Sequence, residues 1–189
     1  MTADTDEVLM GALAGGDDRA LNQLMDRWQG PLRGFLHRYT QNEHDALDLA
    51  QETFVRVYQH RTRFRTGARF STWMFQIGLN LARSRARWQK RHPTDSLDGE
   101  PGTPDGRIDL PVETTPADDL LAAEMVAAVK TAVAALPTDL REAVIFSEYE
   151  EKSHAEIAAI ARTTPKAIET RLYRARQQLR TALGKYLRT

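Results

Sequence analysis

Residues 153–180 read Ser-His-Ala-Glu-Ile-Ala-Ala-Ile-Ala-Arg-Thr-Thr-Pro-Lys-Ala-Ile-Glu-Thr-Arg-Leu-Tyr-Arg-Ala-Arg-Gln-Gln-Leu-Arg. Two helix starts are written into this stretch. Ser153 with Glu156 three residues on is a capping box, in which each side chain takes a free backbone amide at the other's position. Thr164 followed by Pro165 is a second start, with proline at the first helical position, where no amide hydrogen is needed. A short alanine-rich helix ending near Arg162, a tight turn and a longer helix together make a helix-turn-helix candidate. On the longer helix Ile168, Leu172, Ala175 and Leu179 recur at spacings of four, three and four, which makes one apolar seam. Ile157, Ala158 and Ala161 of the shorter helix can meet that seam. At about 100° per residue the opposite face carries Lys166, Glu169, Thr170, Tyr173, Arg174, Gln177 and Arg180. A solvated face is the ordinary reading of such a helix. Here residues 162–189 hold eight basic residues and one acid, which fits duplex DNA better. Residues early in the helix would read base edges, Glu169 among them by accepting from a cytosine amino group, and later arginines would hold phosphates.

Working outward, Pro137 stops an alanine-rich helix opened by Asp118 and Asp119, and Thr138 starts another that runs to about Tyr149. Residues 93–119 carry five of the eight prolines with Gly99, Gly102 and Gly106, and their few apolar residues lack helical spacing. They read as a flexible acidic linker. Before it the pattern is helical again. Gly15-Gly16 ends a short first helix, and Asp17 caps a second through Leu21, Leu24, Met25 and Trp28. Gly30-Pro31 should kink or break that helix before Leu32, Phe35, Leu36 and Tyr39. A third helix, about residues 43–60, places Ala46, Ala50, Phe54 and Val57 on one stripe and Asp45, Asp48 and Glu52 on another. A fourth should start at Ser71 or Thr72 and run to about Arg91, with Trp73, Ile77 and Leu81 buried. The last helix should reach about Leu187. The expectation is an all-α chain of two small helical domains, 1–92 and 120–189, joined by the linker 93–119.

Net charge is zero, but its distribution is not even. Residues 61–92 hold nine basic residues and no acid, and residues 93–125 hold one basic residue and nine acids. With the basic C-terminal block, this gives two places where a polyanion could be met. The first block begins aromatic, with Phe70, Trp73 and Phe75, and ends cationic, with Arg83, Arg85, Arg87, Lys90 and Arg91. Aromatics beside arginines suit a single strand, whose bases stack while cations follow its backbone. The preceding loop, with Arg61, Arg63, Phe64, Arg65, Gly67 and Arg69, could wrap such a strand.

Three segments together resemble one family, the extracytoplasmic-function (ECF) class of bacterial RNA polymerase sigma factors. The segment Asp45-Ala46-Leu47-Asp48-Leu49-Ala50-Gln51-Glu52-Thr53-Phe54 is similar to the family's polymerase-binding motif. Phe70-x-x-Trp73-Met74-x-x-Ile77-Gly78-x-Asn80 is similar to its promoter-melting helix, and residues 137–179 to its minus-thirty-five domain. The resemblance implies an N-terminal region 2-like bundle and a C-terminal region 4-like helix-turn-helix. It implies that Asp45, Asp48, Gln51 and Glu52 dock on the clamp helices of the polymerase beta-prime subunit. It assigns Phe64, Arg65, Arg69, Ser71, Thr72, Trp73, Asn80, Arg83 and Arg87 to the melted non-template strand of the minus-ten element. Lys166, Glu169, Thr170, Arg171, Tyr173, Arg174 and Gln177 would face minus-thirty-five duplex. An anti-sigma factor is a possible further partner of a protein of this class. The sequence departs from the family where Arg162-Thr163 replaces the usual glycine and apolar residue of the turn, a place where φ is positive.

Other functions are disfavoured. The chain has no cysteine, so disulfides, thiol nucleophiles and cysteine zinc sites are excluded. Glu151 and His154 have the spacing used in di-iron bundles, but such a site needs a second copy and two more carboxylates. The five histidines form no ligand cluster by spacing, so no catalysis, metal, cofactor or small-molecule substrate is expected. The start of the chain is acidic and polar, unlike a secretory signal, and the apolar run 120–136 is interrupted by Glu124 and Lys130. Neither membrane insertion nor export is expected, and the protein should be cytoplasmic. The competing reading is a stand-alone helix-turn-helix regulator that binds duplex DNA without polymerase. It accounts for the last helix but not for the first basic block.

Overall fold

In the computed structural model the structure describes residues 5–65, 67–92, 116–184 and 186, and side chains from residue 123 onward in the helix that opens at Pro116. The elements are α1 (Asp6–Ala14), α2 (Arg19–Thr40), α3 (Glu43–Gln59), a 3-10 turn (Arg61–Arg63), α4 (Phe70–Arg91), α5 (Pro116–Ala135), α6 (Thr138–Val144), a π-helical segment (Ile145–Tyr149), α7 (His154–Ala161) and α8 (Pro165–Ala182). Among the described residues there is no strand, as an all-α chain requires.

Local chemistry sets most boundaries. The Thr5 hydroxyl accepts from the Val8 amide to cap α1, and Asn42 Oδ1 accepts from the Asp45 amide at 2.9 Å to cap α3. Four expectations need correction. Pro31 does not break α2, which runs unbroken past it. Leu24, Leu32, Phe35, Leu36 and Tyr39 are buried on both sides of the proline, and that shared burial outweighs one lost hydrogen bond. Helix α4 starts at Phe70 rather than at a capping Ser71 or Thr72, and Glu7 of α1 accepts the free Phe70 amide at 3.2 Å. Its buried line is Phe70, Met74, Phe75, Gly78, Leu79 and Ala82, while Trp73, Ile77 and Leu81 are only half-buried at its edge. The fourth concerns ends: α5 begins at Pro116, inside the expected linker, and α8 stops at Ala182. The rest of the expected linker, residues 93–115, lies outside the described residues.

Helices α2, α3 and α4 meet at Gly78. A Cβ there would lie 3.1 Å from Leu32 Cδ1 and 3.4 Å from Thr53 Oγ1, so the close crossing depends on glycine. In the C-terminal group Ile168, Leu172 and Ala175 of α8 are buried with Ile157, Ala158 and Ala161 of α7, as the spacing led one to expect, while Leu179, the last residue of the expected seam, is half-buried. Arg162 ends α7 in the left-handed conformation (φ 55°, ψ 55°), the position that usually takes glycine. The two groups of helices are pressed together. Phe146, in the π segment, stacks on Phe35 of α2 at 4.5 Å between ring centres and meets Phe75 of α4 edge-on at 5.5 Å. None of the three rings is exposed, so one aromatic cluster serves both groups.

Candidate polymerase and nucleic-acid interfaces

The face of α8 opposite its buried seam is open. Lys166, Glu169, Thr170, Tyr173, Arg174, Gln177 and Arg180 are all exposed, Tyr173 by 65%. Lys166 Nζ lies 2.8 Å from Glu169 Oε2, and this bond, with the lysine's charge, holds the Glu169 carboxyl below its ordinary range. Arg174 and Arg180 have no acidic partner among the described residues. Arg171 is the exception in the expected set. It turns off this face toward Asp139 Oδ2 of α6, 3.4 Å away, with its side chain one-quarter exposed. One of its terminal nitrogens is buried without a partner. It fixes α8 against α6 instead of facing outward.

On α3, Asp48 and Gln51 are exposed and Glu52 is half-buried. Asp48 lies 3.6 Å from His44, and Glu52 accepts from Arg56 Nε at 2.8 Å. Beside Gln51, Leu21, Met25, Phe54, Val55 and Tyr58 line an open apolar groove between α2 and α3. Asp45 does not belong to this face. It is 6% exposed and turned toward α4, where Arg85 Nη2 donates to its Oδ1 at 2.6 Å and Gln89 Nε2 to its Oδ2 at 2.8 Å. The Asn42 cap puts Asp45 in the first turn, and from there it reaches across to the end of α4.

The loop and α4 carry the remaining expected residues. Phe64 and Trp73 are half-buried and tilted against each other at 5.4 Å. Gly67 in the loop has φ 88°, which suits glycine. Ser71 and Thr72 are half-buried; Arg65, Asn80 and Arg87 are exposed. Arg69 and Arg83 are already engaged. Arg69 Nη1 donates to Glu156 Oε1 at 2.8 Å, and Arg83 forms a two-pronged bond to Glu142, with Nε to Oε1 at 2.8 Å.

Glu142 was not singled out by sequence, though a lone carboxylate beside the apolar run Ala143-Val144-Ile145-Phe146 is a signal. It is 1% exposed and also accepts from the Tyr39 hydroxyl at 3.4 Å. Burial, and then the neighbouring Glu142 charge, hold that phenol well above the ordinary tyrosine range. Arg141 braces the junction, donating to the carbonyl oxygens of Tyr39, Ala134 and Leu136. Near it Arg38 Nη1 donates to Glu150, whose carboxyl is raised by burial. Among the described residues no three His, Asp or Glu side chains are grouped to hold a metal. No described helix is long and apolar enough to cross a membrane.

Comparison with known proteins matches these two helical groups separately. Residues 24–92 match the Sigma-70 region 2 family and residues 127–179 the Sigma-70 region 4 family. The chain is 30% identical over 190 residues to the RNA polymerase sigma-H factor of Pseudomonas aeruginosa, covering 100% of this chain and 98% of that one. It is 31% identical over 177 residues to the ECF RNA polymerase sigma-E factor of Haemophilus influenzae, covering 93% of each. Among solved structures it is similar to CnrH in complex with the cytosolic domain of CnrY, with TM-score 0.71 and 27% identity over 96% of this chain and 99% of that one. It is also similar to RpoE of Bartonella quintana in complex with the anti-sigma factor NepR, with TM-score 0.65 and 25% identity over 86% and 96%. The chain belongs to the RNA polymerase sigma factors. Within them it is of the ECF class, a DNA-binding transcription-initiation factor, and the stand-alone regulator is not favoured.

Proposed function

We propose that this sigma factor divides its work among three surfaces. Asp48, Gln51 and Glu52 of α3 dock on the clamp helices of the beta-prime subunit, with the apolar groove beside Gln51 as part of the same contact. The loop and α4 hold the melted non-template strand: Phe64 and Trp73 offer rings for unpaired bases, Asn80 a polar edge, and Arg65, Arg69, Arg83 and Arg87 the cations. Lys166, Glu169, Thr170, Tyr173, Arg174 and Gln177 face the minus-thirty-five major groove. Asp45 and Arg171 are positioning residues in this scheme, the first for α3 on α4 and the second for α8 on α6. The units are 1–92 and 120–189, with the acidic stretch 93–119, whose last four residues open α5, as the tether between them. The protein works in the cytoplasm, where polymerase and DNA are, and does no covalent chemistry. Two similar structures contain partner proteins, one of them an anti-sigma factor, so a protein inhibitor is a natural further partner.

One observation carries this reading: the open, hydrogen-bonding face of α8, backed by a seam in which Ile168, Leu172 and Ala175 are buried and Leu179 half-buried. The test is duplex binding with and without purified core polymerase, followed by run-off transcription on genomic promoter fragments. Weak binding alone and specific initiation with core are expected. Tight, sequence-specific binding by the free chain would overturn it.

A further inference from the structure

The last turns of α4 carry an exposed ring that the three proposed surfaces leave unused. Trp88 is 39% exposed on a helix end that is otherwise mostly cationic. Its ring is stacked on His92, with 4.9 Å between ring centres and 25° between planes. His92 Nδ1 lies 3.1 Å from the Trp88 carbonyl oxygen, and since a carbonyl only accepts, Nδ1 carries the hydrogen and donates. The histidine ring is thereby fixed as a backing for the indole. Around the pair, Arg87, Lys90 and Arg91 are exposed and have no acidic partner among the described residues. We propose that Trp88, backed by His92, is a second base-stacking site on α4, which takes the nucleotide at the end of the melted strand farthest from the loop. The proposal rests on the reading of α4 as the strand-holding helix.

Position, rigidity and access all favour such a site. At about 100° per residue, Asn80, Ser84, Arg87, Trp88 and Arg91 lie within about 60° of Trp73 around the helix. One face of α4 therefore runs from ring to polar edge to cations to ring. Trp73 and Trp88 are fifteen residues apart, about 22 Å along the axis. That is the rise of about six or seven stacked bases at 3.4 Å each. The helix end that carries Trp88 is also held in place. Asp45 of α3 accepts from both Arg85 and Gln89, and the His92 amide closes the last turn on the Trp88 and Gln89 carbonyl oxygens. A ring on a fixed element has less freedom to lose when a base stacks on it. Finally, Arg69, Gln76 and Arg83 are bonded to α6 and α7, whereas residues 84–88 are all exposed. An open indole among unpaired cations is the composition of a stacking platform, where the ring takes a base and the charges follow the backbone.

The test uses the full chain with core polymerase and a labelled non-template strand from a promoter fragment on which that holoenzyme initiates. A nested set shortens the strand one nucleotide at a time from either end. The unaltered chain is expected to lose about tenfold in affinity at one step, where the strand becomes too short to reach both rings. Trp88→Ala should remove that step, binding long strands about tenfold more weakly and short ones unchanged, and Trp88→Phe should restore most of it. His92→Ala should weaken long strands alone by about threefold, through loss of the backing ring. Asn80→Ala should weaken long and short strands alike. Helical content and co-elution with core should not change, since Trp88 lies outside the buried core. A Trp88→Ala loss that is equal on long and short strands would overturn the second stack and make Trp88 a support for α4. No loss from Trp88→Ala, with Asn80→Ala still weakening the strand, would reject the second site and leave the strand-holding reading standing. No loss from either change, or no initiation on any fragment, would sink that reading and the proposal with it.

Discussion

The two helices proposed to face DNA are built in opposite ways. Helix α8 buries one seam and leaves its whole polar face open, with Arg174 and Arg180 unpaired among the described residues. Helix α4 is enclosed on two sides, by α2 and α3 through Gly78 and by α6 and α7 through Arg83 and Gln76. Duplex can be read by an open face that is always ready. The contrast teaches that two basic helices of one chain can be set differently, one packed along a single seam and the other packed on two sides.

The comparison can be tested at both ends. Asp48→Arg with Glu52→Arg should abolish co-elution with core polymerase, since like charge at such a contact costs on the order of several kcal/mol. The helical content should be unchanged, and retained co-elution would move the polymerase contact away from α3. Phe146→Ala should destabilise the chain by about 3–5 kcal/mol in denaturant melts. Because that ring touches Phe35 and Phe75, the two groups should weaken together, and a loss confined to α5–α8 would make them independent. Arg174→Ala should weaken minus-thirty-five recognition in holoenzyme by about 1–3 kcal/mol. Arg171→Ala should instead lower stability without changing base preference, and a changed preference would return Arg171 to the reading face. Ser153→Ala should cost about 1 kcal/mol through the α7 cap. The Ser153 bonds, more than Arg69, hold the Glu156 carboxyl below its ordinary 4.5. Its stabilisation is thus present above that value and lost as pH falls through the lowered one, so Glu156→Gln should flatten the acid limb of the stability curve.

The helix-turn-helix was legible almost to the residue, because a seam of fixed period and two capping signals are local facts. The stripe Ala46, Ala50, Phe54 and Val57 of α3 was legible for the same reason. Period shows which side of a helix is apolar, but not what its charged neighbours meet across the fold. Asp45, Arg171, Arg69 and Arg83 all lie at helix edges, and their partners are 40, 32, 87 and 59 residues away in sequence. Pro31 misled in the opposite direction, a local rule overruled by burial on both sides of it. The polymerase and strand surfaces thus came from resemblance more than from period.

Gly78 gives the N-terminal group a mechanical property. With one hydrogen in place of a side chain, α4 rests on Leu32 of α2 and Thr53 of α3 with no compressible layer between. The same α3 turns Asp48 and Glu52 outward on its far side. On the proposed reading, a polymerase that grips those carboxylates would steer α4 as the handle of a key turns its blade. Alanine at 78 would press on Leu32 Cδ1 and Thr53 Oγ1 and shift that bearing surface.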